Sequence, residues 1–137
     1  VTDVRACLYD GSHHEVDSLE LAFRAAARLA FADGLRQGAP VLLEPIGRLE
    51  VLVPQEYLGD VMGLLAARRC EVVGVEVGPG GAQVVRGQVP LAEMFGFASA
   101  LRSATQGRGL FTMEPLHYAR VDAEAAQRML GTRPFTD

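Results

Sequence analysis

Residues 71–89 read Glu71-Val72-Val73-Gly74-Val75-Glu76-Val77-Gly78-Pro79-Gly80-Gly81-Ala82-Gln83-Val84-Val85-Arg86-Gly87-Gln88-Val89. Two runs rich in β-branched residues flank a cluster of glycine and proline. That pattern predicts two antiparallel strands joined by a short loop. Glu71 to Val77 is the first strand, Gly78 to Gly81 the turn, and Ala82 to Val89 the returning strand. The glycine cluster is no phosphate-binding loop, since no Lys-Ser/Thr follows it and it lies between strands rather than before a helix.

The flanks of this hairpin repeat one pattern. Upstream, Val41 to Val53 is strand-like, with Glu44-Pro45 as an expected break. Pro54-Gln55-Glu56-Tyr57 then opens a helix with Leu58, Val61, Met62 and Leu65 on one face. Downstream, Pro90 to Ala104 holds a second helix, read as starting near Ala92 with Leu91, Phe95, Ala98 and Leu101 inward. Leu110 to Tyr118 is a final strand, and Asp122 to Leu130 a short closing helix. The order β-α-β-β-α-β, with two helices of similar length, predicts an α+β fold. Its architecture is the ferredoxin-like split βαβ sandwich, a four-stranded antiparallel sheet with two helices on one face.

Residues 1–38 differ. Val4, Ala6 and Leu8 alternate with Arg5, Cys7 and Tyr9, a weak strand signal. Asp10-Gly11-Ser12 marks a turn. Asp17, three residues before Glu20, suggests a capping box at a helix start. Leu19, Ala22, Phe23, Ala26, Ala27 and Ala30 form an apolar stripe at helical spacing. One strand and one helix cannot enclose a core, so this stripe needs cover from elsewhere. Self-association through residues 19–30 is one route to it. Gly38-Ala39-Pro40 divides the chain into residues 1–38, residues 39–121, and a closing helix and tail at 122–137.

Composition narrows the function classes. Among 137 residues, 49% are apolar and 22% charged, as in a globular protein. The net charge of −4 argues against polyanion binding by the whole surface. All 13 basic residues are Arg, whose planar fork suits phosphates and stacked bases. Cys7 and Cys70 lie far apart and have no metal-ligand spacing, so reduced thiols and a cytoplasmic location are expected. No apolar run approaches the roughly 20 residues of a membrane span. The first residues lack a signal-peptide layout and begin in a strand-like segment, which suggests a longer parent chain. His13-His14-Glu15 with Asp10 and Asp17 is a poor metal set, because adjacent loop residues rarely converge on one ion. Ser12 lacks a nucleophile elbow. No catalytic constellation is expected. Thr105-Gln106-Gly107-Arg108-Gly109, flanked by Arg102, is the loop best suited to a close approach by a ligand.

Several long motifs resemble the elongation factor G family. Leu8 to Ser18 is similar to the tip-loop segment of its domain IV. Pro40 to Ile46 is similar to the start of domain V. Pro54 to Val61 with Leu64 to Arg69 resembles that domain's first helix. Val89 to Phe97 with Leu101 to Gly109 resembles its second helix and the following loop. The resemblance runs through His117-Tyr118. It implies a partial domain IV followed by a ferredoxin-like domain V. It also implies a ribosome-binding part of a translocase, with GTP and Mg handled by a domain absent here and no cofactor in this piece. Gly11, Ser12, His13 and His14 would then meet tRNA and mRNA at the decoding region. Arg102, Gln106 and Arg108 would meet ribosomal RNA near the sarcin–ricin loop and stalk base. The sequence departs from the family at His13, where Tyr is common, at Glu15, where Asp is common, and in its Gly-rich hairpin. The motifs also fit a second paralogue, the recycling form and the ribosomal protection proteins. An independent ferredoxin-like ligand-binding domain is the reading from another class.

Overall fold

The computed structural model describes residues 1–131. Two compact units are present, one built from residues 1–41 and the other Leu42–Met129. In the first, α1 (Glu20–Gln37) is the regular element and residues 1–19 carry only local turns. The strand expected at Val4 to Tyr9 does not form, because no second strand in this unit offers it a ladder. The capping box expected from Asp17 is also absent. Leu19 occupies the N-cap and no side chain caps the helix. Glu20 instead pairs with Arg24 one turn on, at 2.6 Å. No residue of α1 is buried, so Leu19, Phe23 and Leu29 remain exposed.

The second unit has the expected layout. β1 (Leu43–Val53), α2 (Leu58–Ala66), β2 (Glu71–Val77), β3 (Gln83–Pro90), α3 (Phe97–Ala104) and β4 (Leu110–Arg120) follow in order. The sheet runs β2-β3-β1-β4 with every pairing antiparallel. This is the ferredoxin-like split βαβ arrangement. Alternate residues of the strands, Leu49, Val51, Val53, Val85 and Val89, form one apolar face, and Val61, Leu65, Phe97 and Leu101 from the two helices close over it. Phe97 and Phe111 meet edge to face at 5.0 Å between ring centroids. α4 (Ala123–Leu130) follows, its start fixed by Asp122 Oδ1 accepting the Ala125 N–H at 2.8 Å.

Two sequence expectations fail here for local reasons. Pro45 does not break β1. At that point β1 pairs only with β4, opposite Tyr118, and pairing with β3 begins at Ile46, so the missing N–H removes no ladder bond on the β3 side. The second helix does not start at Ala92. Leu91–Met94 is a 3-10 turn, and Gly96 at φ 73° interrupts before α3 begins at Phe97. The inward residues are therefore Phe97 and Leu101, while Phe95 and Ala98 face out.

The connection from α2 to β2 is tied down by charge. Arg69 takes φ 54°, a left-handed conformation costing a non-glycine residue about 1 kcal/mol. Its Nη1 and Nη2 donate to the two oxygens of Glu44 at 2.9 and 3.0 Å, and its Nε donates to Glu93 Oε1 at 2.7 Å. The Glu44 bonds raise the guanidinium above its ordinary pKa against the lowering by partial burial, and Glu93 adds to the rise. Gly87 admits the same turn, since a Cβ there would lie 2.7 Å from Cys70 Sγ and 2.9 Å from the Glu71 carbonyl oxygen. On the other face of the sheet Arg86 bridges Glu50 and Glu76 in a solvated setting. No helix among the described residues is long and apolar enough to cross a membrane.

Removing Arg69 leaves the buried Glu44 carboxylate unpaired. Arg69→Ala therefore lowers the unfolding free energy by about 2 kcal/mol, read from urea melts, whereas Arg86→Ala has a clearly smaller effect. Equal effects would show that the Glu44 pair is as solvated as the Arg86 one. Gly87→Ala forces a backbone clash and costs about 1–3 kcal/mol in the same melts. An unchanged midpoint would mean that the turn yields freely.

Candidate nucleic-acid interface

In the first unit, Gly11, Ser12, His13 and His14 all lie exposed on the loop before α1. The loop closes on itself through short bonds. The Gly11 N–H donates to Asp10 Oδ1 at 2.8 Å, and the Ser18 N–H donates to the His14 carbonyl oxygen at 3.1 Å. The Ser18 hydroxyl oxygen accepts the His14 N–H at 2.5 Å, so Ser18 closes the turn just before α1. Among the described residues the imidazoles of His13 and His14 make no hydrogen bond, and no cluster of His, Cys, Asp or Glu converges in a metal-binding arrangement. The loop can present donors and two flat rings to a ligand, and nothing in it activates a nucleophile. Residues Cys7 to Ser12 and Ala30 line an open hollow beside it.

In the second unit, Arg102, Gln106 and Arg108 all belong to the C-terminal end of α3 and the loop into β4. Thr105, fully buried, organises that loop. Its hydroxyl donates to the Leu101 carbonyl oxygen at 2.7 Å and accepts the Gly109 N–H at 2.8 Å. The Gly107 N–H returns to the Arg102 carbonyl oxygen at 2.8 Å, and the Arg108 N–H to that of Thr105 at 3.0 Å. Gln106 at φ 50° and Gly107 at φ 79° make the reversal. A non-glycine residue in that region stores strain, which the Thr105 bonds hold in place. A Cβ at Gly109 would lie 2.8 Å from Thr105 Oγ1, so the close approach requires glycine. The sequence places Thr105 in this loop without marking its organising role. Its signal was a hydroxyl residue at a helix end with glycines two and four positions on.

The two arginines are not equivalent. Arg108 Nη1 donates to Glu56 Oε1 at 2.9 Å, an exposed pair. Arg102 has no ion pair among the described residues. Glu93, the carboxylate nearest to it in sequence, is occupied by Arg69. The run from Met94 to Met113 contains no Asp or Glu, in a chain with 17 of them. An anion approaching the end of α3 thus meets cationic and amide donors with no carboxylate contributed by the segment itself. Both cysteines are free. Burial first, then the Glu71 charge, pushes the Cys70 thiol above its ordinary value, so it is a poor nucleophile at neutral pH.

Comparison with known proteins follows the same division. The family model described as elongation factor G, domain IV, matches residues 1–39, and that described as elongation factor G C-terminus matches residues 41–129. A Thermus thermophilus protein known from its crystal structure is 50% identical over 89% of this chain, with a TM-score of 0.69. The chain spans 18% of that protein's length. Both family matches describe C-terminal parts of the factor, and neither is a GTPase domain. With the second match covering most of the chain in the fold just described, the chain belongs to the elongation factor G family.

Proposed function

We propose that this chain is the ribosome-binding C-terminal part of a translational GTPase that promotes movement of tRNA and mRNA during protein synthesis. The observation that carries this reading is the pair of consecutive domain matches, in family order, at residues 1–39 and 41–129. The loop of Gly11, Ser12, His13 and His14 meets tRNA and mRNA at the decoding region. Arg102, Gln106 and Arg108 meet ribosomal RNA near the sarcin–ricin loop and stalk base. The carboxylate-free run around α3 supports the second contact, because a phosphate backbone is recognised first by charge. The chain holds no phosphate-binding loop, so GTP and its Mg ion are handled elsewhere in the full-length factor. The expected calorimetric result is no micromolar GTP binding by this chain, and finding such binding would overturn that assignment.

Arg102→Ala weakens binding of the chain to large ribosomal subunits and flattens its salt dependence by about one unit of logarithmic slope. Arg108→Ala has a smaller effect, because its guanidinium must leave Glu56 to reach a phosphate. Glu56→Ala tightens binding by removing that competitor and one negative charge. Parent-like salt titrations for all three variants would place the RNA contact elsewhere. In a longer chain carrying the GTPase domain, His14→Ala slows translocation while ribosome binding and GTP hydrolysis persist. A parental translocation rate would remove the tip loop from the mechanism.

A further inference from the structure

Phe95 is an aromatic side chain that projects into water from a braced backbone turn. It is 85% exposed, although the neighbouring Phe97 is fully buried. Its backbone at φ −59°, ψ 126° is followed by Gly96 at φ 73°, ψ 1°. Those are the two central conformations of a type II turn, with glycine where positive φ is needed. The corner is braced from behind. Arg68 Nη1 donates to the Glu93 carbonyl oxygen at 2.6 Å and to that of Phe95 at 3.2 Å, and its guanidinium lies 5.6 Å from the Phe97 ring centroid. The Ala100 N–H donates to the Gly96 carbonyl oxygen at 3.0 Å, fastening the turn to α3. The Arg69–Glu93 bond fixes the turn's other side. An exposed ring on a mobile loop loses conformational entropy when it binds. Here the backbone that carries the ring is already fixed, so that part of the cost is removed.

The surroundings select the partner. From Phe95 the exposed residues of α3 are Ala98, Ser99, Arg102 and Ser103, leading to Gln106 and Arg108. The side chains between the ring and the arginines are small, so a flat partner can lie against the helix. The whole stretch lies in the carboxylate-free run from Met94 to Met113. A flat partner carrying negative charge is an unpaired nucleic-acid base on its phosphate backbone. We propose that Phe95 is a stacking platform for one unpaired base of a large-subunit ribosomal RNA loop, next to the phosphate contacts of Arg102. This rests on the ribosome-binding reading above and adds to it the residue and the chemistry by which the surface selects a looped strand over a duplex.

The test uses this chain and large ribosomal subunits, with Phe95→Ala, Phe95→Leu and Phe95→Trp. Because the side chain is exposed, circular dichroism should show the same fold for all of them. Alanine weakens binding roughly 5- to 150-fold, the range for losing one stacked base, and leaves the salt slope unchanged, whereas Arg102→Ala changes it. Tryptophan retains binding and leucine does not. Chemical probing of the ribosomal RNA shows one base protected by the parent and by Phe95→Trp, and unprotected with Phe95→Ala. If Phe95→Leu binds like the parent, the ring fills an apolar protein pocket and the stacking proposal is wrong. If the parent binds and Phe95→Ala binds equally well, Phe95 is outside the interface, and the ribosome-binding reading stands without it. If the parent does not bind, that reading falls, and this proposal with it.

Discussion

The pairing of Arg69 with Glu44 and Glu93 is the constraint on which the second unit depends. The hydrophobic face of the sheet and the two helices that cover it would pack in several ways, because burial of Val, Leu and Phe has no direction. The guanidinium gives direction. It fastens the start of β1, the turn into β2 and the 3-10 turn before α3 in one bidentate and one single contact. The position is costly in itself, with a left-handed backbone and a carboxylate taken out of water. Bidentate geometry offsets both costs, and a lysine could not supply it. Arg68, the next residue back, uses the same platform to brace the Phe95 turn. Two adjacent arginines at the end of α2 thus connect the hidden core to the outward surface.

The fold was legible because its signals agreed with one another. The Gly-Pro cluster between two β-branched runs marked the hairpin, and Gly80 and Gly81 do adopt the positive φ such a turn needs. Val61 and Leu65 were readable from helical spacing alone. What escaped was governed by pairs of residues far apart in sequence. Pro45 looks like a break until the pairing of β1 with β3 is known to begin one residue later. The start of α3 was misread because Phe95 and Phe97 are equally apolar, and only the Gly96 conformation decides which one turns inward. At the N-terminal end, alternation at Val4, Ala6 and Leu8 is present in the sequence, but alternation without a partner strand makes no ladder.

The candidate surfaces show the same division. The tip loop and the loop after α3 were found by motif resemblance and composition. Their internal wiring was not, since Ser18 and Thr105 act through hydroxyl-to-backbone bonds that no spacing rule marks. The inequality of Arg102 and Arg108 came from Glu56, 52 residues away from Arg108. Under the proposed RNA contact, that inequality has a consequence. A free guanidinium at a helix end can meet a phosphate at once, whereas a paired one must exchange partners and so contributes more to selectivity than to affinity.

The central claim is that the α3 end of the second unit faces ribosomal RNA. Hydrogen exchange of the backbone amides, compared between the free chain and the chain bound to large ribosomal subunits, tests it most directly. The account predicts new protection across residues 94–109, with little change along the outer edge of β2. Protection confined to β2 and the open face of the sheet, with residues 94–109 exchanging as in the free chain, would contradict it.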